Sequence, residues 1–267
     1  MWYAICSMHN MKILFALTIL STLGSCTAQI KPSTPEDEPT EEIVLSTVDQ
    51  FYHNNDTVRS PSISDGTVSN GTLKNGRLIP FSGKNYHYFD SLSYLSSRGF
   101  MHEKVLKTVL GAYTELESFH PERHFCIMEC SHIHGGQLFP HRTHQNGLSV
   151  DFMMPKLQNG NAYYGLDDLG ANHYMLTFDE NGRYSEDPTI ELDFNTIALH
   201  ILQLQKAAKT NGLTIQKVII NTSLKDELFA TENGKILKKS GIYIVLNLSP
   251  LINSVHDDHF HVDFKLD

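Results

Sequence analysis

The sequence predicts an α+β fold: a single domain with a central antiparallel or mixed sheet flanked by helices, preceded by a signal or lipobox segment and a disordered linker. Three observations predict it. Residues 102–116 and 195–211 carry apolar side chains at helical spacing. Five short β-like runs, 124–130, 148–154, 213–221, 241–248 and 259–265, lie between and after them. The order lacks the regular strand–helix–strand alternation that builds a parallel sheet. The 267 residues, 40% of them hydrophobic, suffice for one full core plus appendages.

Taking the elements in order, residues 1–26 read as a signal or lipoprotein segment. From Met11, the preferred initiator, Lys12 precedes the apolar run Ile13 to Leu20, too short to span a bilayer and proportioned like a secretory h-region. Leu23-Gly24-Ser25-Cys26 resembles a bacterial lipobox, in which Cys26 takes the lipid after cleavage. The alternative is an ordinary signal peptide cut near Ala28. Residues 27–69 are expected to be a flexible linker: TAQIKPSTPEDEPTEEIVLST is rich in Pro, Thr and Glu, and NNDTVRSPSISDGTVSNGT is turn-rich. The folded unit is expected over 70–267.

In the first helix, Val105, Leu106, Val109, Ala112, Tyr113 and Leu116 form one stripe. In the second, Ile197, Leu199, Ile201, Leu202 and Leu204 do the same, and Gly212 marks its end. Residues 155–193 are too many for a plain connector and are expected to wall or cover a cleft. Cys126 and Cys130, four residues apart on an extended stretch, would place their Cα atoms about 13 Å apart, beyond the reach of about 7 Å for a disulfide. Two buried thiols are expected. The formal charge of −9 offers no positive field for nucleic acid or an anionic bilayer, so membrane contact is expected only through an N-terminal lipid.

The chemistry is concentrated in two motifs. In HFHVDF, period-two alternation sets Phe260, Val262 and Phe264 on one face and His259, His261 and Asp263 on the other. His256 precedes by a short turn and could reach the same point. In the second motif, Leu148, Val150 and Phe152 alternate with Ser149, Asp151 and Met153, and His144 lies seven residues before Asp151 across Gln145-Asn146-Gly147. Imidazole and carboxylate suit zinc, and three protein ligands with an open position describe a catalytic site. His-x6-Asp plus His-x-His supplies that number. Among fifteen histidines, His9, His53, His87, His120, His124 and His200 have no such context.

PHRTHQNGLSVDF and HDDHFHVDF resemble the two signature segments of the penicillin-insensitive murein endopeptidases, zinc peptidases related to lysostaphin, D-Ala-D-Ala carboxypeptidases and the hedgehog domain. The resemblance extends to NGTLKNGRLIP, to the strand before Gly135-Gly136 and to KVIINTSLK, and so covers about 70–267. It implies Zn2+ as cofactor, with His144, Asp151 and His261 as ligands. His259 would be the general base or oxyanion stabiliser, with His256 and His141 completing the site. It also implies hydrolysis of D-Ala to diaminopimelate cross-links in peptidoglycan stem peptides, outside the cytoplasmic membrane, as a periplasmic or outer-membrane-anchored protein. Zinc so held would lower the pKa of its water toward about 7 and polarise the scissile carbonyl. The alternatives are a D,D-carboxypeptidase of the same group and a non-catalytic wall-binding lipoprotein with structural zinc.

The chain departs from the family pattern in places. Asp263 stands where relatives tend to carry a basic residue, and Arg98-Gly99-Phe100-Met101-His102 only loosely echoes a Trp-Gly-His-Pro stretch. Some members bind a second zinc through the counterpart of His141; in residues 160–185 only His173 offers itself as a later ligand, and weakly. Asp257, Asp258 and Asp263 either orient imidazoles by accepting ring N–H bonds or are solvated charges; for Asp263 the solvated reading is preferred. Gly135-Gly136 either lets the backbone approach a substrate or forms a turn.

Overall fold

A computed structural model describes residues 45–267. The secretory run, the lipobox with Cys26 and the first part of the linker lie outside the described residues. Among those described, no helix is long and apolar enough to cross a membrane.

Order begins earlier than residue 70. Helix α1 (Thr47–Asn55) is capped by Ser46, whose Oγ accepts from Asp49 N at 3.2 Å. Val48, Phe51 and Tyr52 pack against the core, Phe51 edge-on to Tyr94. Strand β1 (Ile63–Thr67) pairs in antiparallel register with β2 (Asn70–Lys74), from Ile63 opposite Lys74 to Thr67 opposite Asn70. The linker expectation for 27–69 is therefore corrected over 47–55 and 63–67. Its polar composition conceals three core-seeking side chains at 48, 51 and 52 and a hairpin partner just beyond its end.

Next come β3 (Arg77–Leu78), β4 (Tyr86–Tyr88), α2 (Ser91–Leu95), β5 (Phe100–Met101) and α3 (Glu103–Phe119). Helix α3 starts where the His102 ring accepts from Lys104 N at 3.1 Å, and of the expected stripe it buries Val105, Val109, Ala112, Tyr113 and Leu116, with Leu106 half-buried against the core. Strands β6 (Phe125–Ile127) and β7 (Ser149–Met153) follow. The segment expected to form a wall has structure of its own: β8 (Lys156–Gln158), β9 (Asn161–Tyr163), a 3-10 turn Gly170–Met175 and β10 (Ile190–Leu192), the strands forming a small antiparallel sheet in the order β10-β8-β9.

Helix α4 (Phe194–Thr210) is capped by Asp193, which accepts from Thr196 N at 3.0 Å, and it ends at Asn211 before Gly212 at φ +66°. Then come β11 (Leu213–Ile219), α5 (Lys225–Ala230), α6 (Glu232–Lys239), α7 (Pro250–Ser254) and β12 (His259–Leu266). The central sheet runs β11-β12-β7-β6-β4; only β4 and β6 pair in parallel, so the sheet is mixed and the fold is α+β as predicted. The strand expected at 241–248 is a correction. Ile244 makes a single bridge to Val218, while Tyr243 and Leu246 face solvent, so the run has no second buried position to hold a ladder. Cys126 and Cys130 are free, buried thiols.

Candidate metal centre

The site grows out of the β7–β12 ladder, where His261 pairs with Asp151 and Val262 with Val150. On the core face, Phe152 and Phe260 stack with centroids 5.2 Å apart, which locks both strands. On the opposite face, His261 Nδ1 lies 2.7 Å from Asp151 Oδ1, and its Nε2 lies 2.7 Å from Asp263 Oδ1. Ser149 Oγ donates to Asp263 Oδ1 at 2.5 Å, and Lys217 Nζ stands 3.0 Å from Oδ2. Asp263 is fully buried, so the preferred reading of it as a solvated strand-end charge is corrected. Although near the end of the chain, it sits in mid-sheet, between Ser149 of β7 and Lys217 of β11.

His144 is set by strain and by hydrogen bonds. Its φ is +68°, rare for a residue with a Cβ, and Ser131 Oγ donates to its carbonyl at 2.6 Å. Its Nδ1 is hydrogen-bonded to the Cys130 carbonyl, so Nδ1 carries the proton and Nε2 keeps a lone pair. That Nε2 lies 3.2 Å from Asp151 Oδ2, yet neither atom completes a hydrogen bond. The two aim at the same space rather than at each other. His141 joins them, its Nδ1 3.7 Å from Asp151 Oδ2 and its Nε2 2.6 Å from Glu129 Oε2. Arg98 grips the same Glu129.

His141, His144 and Asp151 each offer a ligand atom within 4.8 Å of the others. The His261 ring is 4.8 Å from that of His144 and rests on the second oxygen of Asp151. The structure thus brings together all four residues singled out as ligands or additional site. His141, His144 and Asp151 fit a metal ion. Two buried polar atoms without partners cost free energy unless something lies between them, and two or three imidazoles with a carboxylate are a donor set for a zinc-like cation.

His256 and His259 lie beside this cluster. His259 Nδ1 is 2.6 Å from Asp258 Oδ1, and the His256 ring lies 4.8 Å from the His259 ring at 34°, with its own Nδ1 donating to the Ile252 carbonyl at 2.6 Å. Burial, with His259 as neighbour, pushes His256 down to about 3. Burial would raise Glu129, but hydrogen bonds from His141 and Arg98 outweigh it and hold that carboxyl near 2. Burial likewise opposes a charged His261, and the carboxylates of Asp263 and Asp151 overcome it, raising the imidazole to about 10 in the absence of a cation.

Asp257 is buried rather than solvated, its Oδ2 accepting from Phe178 N at 3.2 Å. His173, weighed as a later metal ligand, is fully buried, and its ring nitrogens meet Asp258 and Lys156, neither of which belongs to the His141, His144 and Asp151 cluster, so it stands apart from the metal centre. Three residues near the centre have no site role in the sequence reading. Glu129 and Arg98 orient His141. Tyr174 stands edge-on to His259 at 5.4 Å, with its ring 6.3 Å from that of His141 and its hydroxyl buried without a partner. Glu129 interrupting the apolar run FCIMEC was the one available signal among them.

Residues 64–266 match the family model described as penicillin-insensitive murein endopeptidase, three quarters of the chain. No curated protein matches.

Proposed function

The chain belongs to the penicillin-insensitive murein endopeptidase family, and from that premise we propose that it is a zinc-dependent endopeptidase that hydrolyses D-Ala to diaminopimelate cross-links between peptidoglycan stem peptides. The observation that carries the zinc reading is the pair of orphaned atoms, His144 Nε2 and Asp151 Oδ2, buried 3.2 Å apart beside His261. His144, Asp151 and His261 would hold Zn2+, with His141 as an additional ligand position. When bound, the ion supplies Lewis-acid activation of water and polarises the scissile carbonyl.

The rest is the work of the chain's own side chains. His259, tied at Nδ1 to Asp258, presents Nε2 as the nitrogen that takes a proton from the attacking water and returns it to the leaving amine, a role worth about 10² to 10⁴ in rate. His256, pinned by the Ile252 carbonyl, lies against that ring and limits its swing. Asp263 and Glu129 fix the rings of His261 and His141 from behind. The substrate lies outside the cytoplasmic membrane, in keeping with an exported, periplasmic or outer-membrane-anchored lipoprotein.

The test is digestion of purified cross-linked muropeptides with and without a chelator. Dimers should become monomers only when metal is present, and His144→Ala should lose zinc and activity together while His259→Ala keeps zinc and loses rate. Dimers left intact in every arm would refute the proposal. Release of terminal D-Ala with dimers intact would select a carboxypeptidase instead.

A further inference from the structure

Behind His259 and its partner Asp258 runs a file of buried polar side chains, His173, Lys156 and Asp167, that none of the catalytic steps above uses. Asp258 Oδ1 meets Nδ1 of His259 at 2.6 Å, and its Oδ2 meets Nδ1 of His173 at 2.6 Å. The Nε2 of His173 lies 3.3 Å from Lys156 Nζ, which also donates to the Met154 carbonyl at 3.2 Å and to Asp167 Oδ1 at 2.9 Å. Lys156 and His173 are 0% exposed, Asp258 1% and His259 3%. Buried polar groups must be hydrogen-bonded, and here each meets the next.

That requirement fixes the protons. A lysine ammonium has three N–H donors and no acceptor. With one donor on Met154, one on Asp167 and the third on His173, the His173 Nε2 must accept. Its proton therefore sits on Nδ1 and is donated to Asp258. Asp258, which burial would raise but which its two histidine partners hold below the usual carboxylate range, is ionised and accepts on both oxygens. One oxygen is thus committed to His173, and the other can only accept from His259 Nδ1. The Nε2 of His259 is left as the nitrogen without a hydrogen-bond partner among the described residues.

We propose that His173 is a positioning residue for His259: anchored by Lys156, it holds Asp258 in the orientation that puts the His259 proton on Nδ1 and directs the bare Nε2 at the substrate. The inference rests on His259 being the proton-handling group of the proposed endopeptidase. It also gives the 155–193 segment a chemical task, because Lys156, Asp167 and His173 all belong to it, and Met154 N, just before it, donates to the Asp258 carbonyl at 3.0 Å.

The test compares the full chain with His173→Asn, whose side-chain amide can still donate to Asp258, and His173→Leu, which cannot. With zinc content equal in all three, His173→Leu should lose about tenfold to hundredfold in kcat with little change in KM, and His173→Asn should recover most of it. Long-range proton–nitrogen spectra of the wild-type imidazoles provide a readout independent of turnover: with the rings neutral, both His173 and His259 should be Nδ1–H tautomers. A wild-type His173 or His259 protonated at Nε2 overturns the inference, whether or not the protein cleaves muropeptides. So does a folded His173→Leu protein with wild-type kcat, or one that loses activity only in proportion to lost zinc. A wild type that shows both tautomers but cleaves nothing would instead sink the proposed function and leave the wiring intact.

Discussion

The carboxylate of Asp263 holds His261 by its Nε2, 2.7 Å away, while the opposite ring nitrogen faces Asp151 at the same distance. A carboxylate behind a metal-binding imidazole orients the ring and raises its basicity, and loss of such a partner typically costs about tenfold to hundredfold in metal affinity. Asp263→Asn preserves size and removes the charge. Competition titration against a chromophoric chelator should show zinc affinity falling by about that factor, with turnover per bound zinc nearly unchanged. An unaltered affinity would mean that Lys217 and Ser149, not His261, are the reason for the buried charge.

The unpartnered His144 Nε2 and Asp151 Oδ2 predict that the cation is also a stabiliser. A ligand at a hundred times its dissociation constant adds about 2.7 kcal/mol to the native state, which for a domain of this size is roughly 5–10 °C in Tm. Melting with excess zinc and with excess chelator should differ by about that much in the wild type and scarcely at all in His144→Ala. Superimposable wild-type melts would contradict a metal centre here.

Much of this site could be read along the chain because its two halves each lie on one strand. Alternation in 259–264 separates Phe260, Val262 and Phe264 from the imidazoles, and the turn at 145–147 returns His144 to Asp151; both depend only on local geometry. What could not be read depends on packing between distant segments. His173 and Asp258 meet across 85 positions, and Ser149 and Asp263 across 114. Nothing in the neighbours of Asp263 distinguishes a charge at a strand end from one between two further strands. The helix at 47–55 is not legible in the sequence because its polar flanks dominate the composition, although Phe51 and Tyr52 reach the core.

Tyr174 brings a hydroxyl with no partner into the space beside His141 and His259. Burial, reinforced by the carboxylates of Glu129, Asp151 and Asp258, keeps it protonated far above neutrality, so it is a fixed donor. Deleting an unsatisfied buried hydroxyl should leave stability unchanged or slightly higher. Tyr174→Phe is therefore expected to melt no lower than wild type, retain its zinc and lose about tenfold or more in kcat, the scale of a lost transition-state hydrogen bond. Full activity in a stable Tyr174→Phe protein would leave the hydroxyl without a role.

His200 makes a prediction away from the metal. It sits in α4, 1% exposed, with its ring between 4.8 and 5.5 Å from those of Phe152, Tyr113, Phe125 and Phe260, and neither of its nitrogens has a partner. Burial alone lowers its pKa to about 3. In the unfolded chain the ring titrates near its ordinary value of about 6.5. Between those values the unfolded state binds a proton that the native state refuses, so stability rises with pH through the window and is lost progressively as pH falls from about 6.5 toward 3. The slope approaches about 1.4 kcal/mol per pH unit. His200→Leu keeps the site apolar and removes the proton. Urea midpoints taken with chelator present, so that metal release adds nothing, should show wild type losing about 2.5 kcal/mol more than His200→Leu between pH 7 and pH 4.5. Parallel losses in the two proteins would mean that the native ring finds a way to be charged, and that the aromatic cage opens before the rest of the fold does.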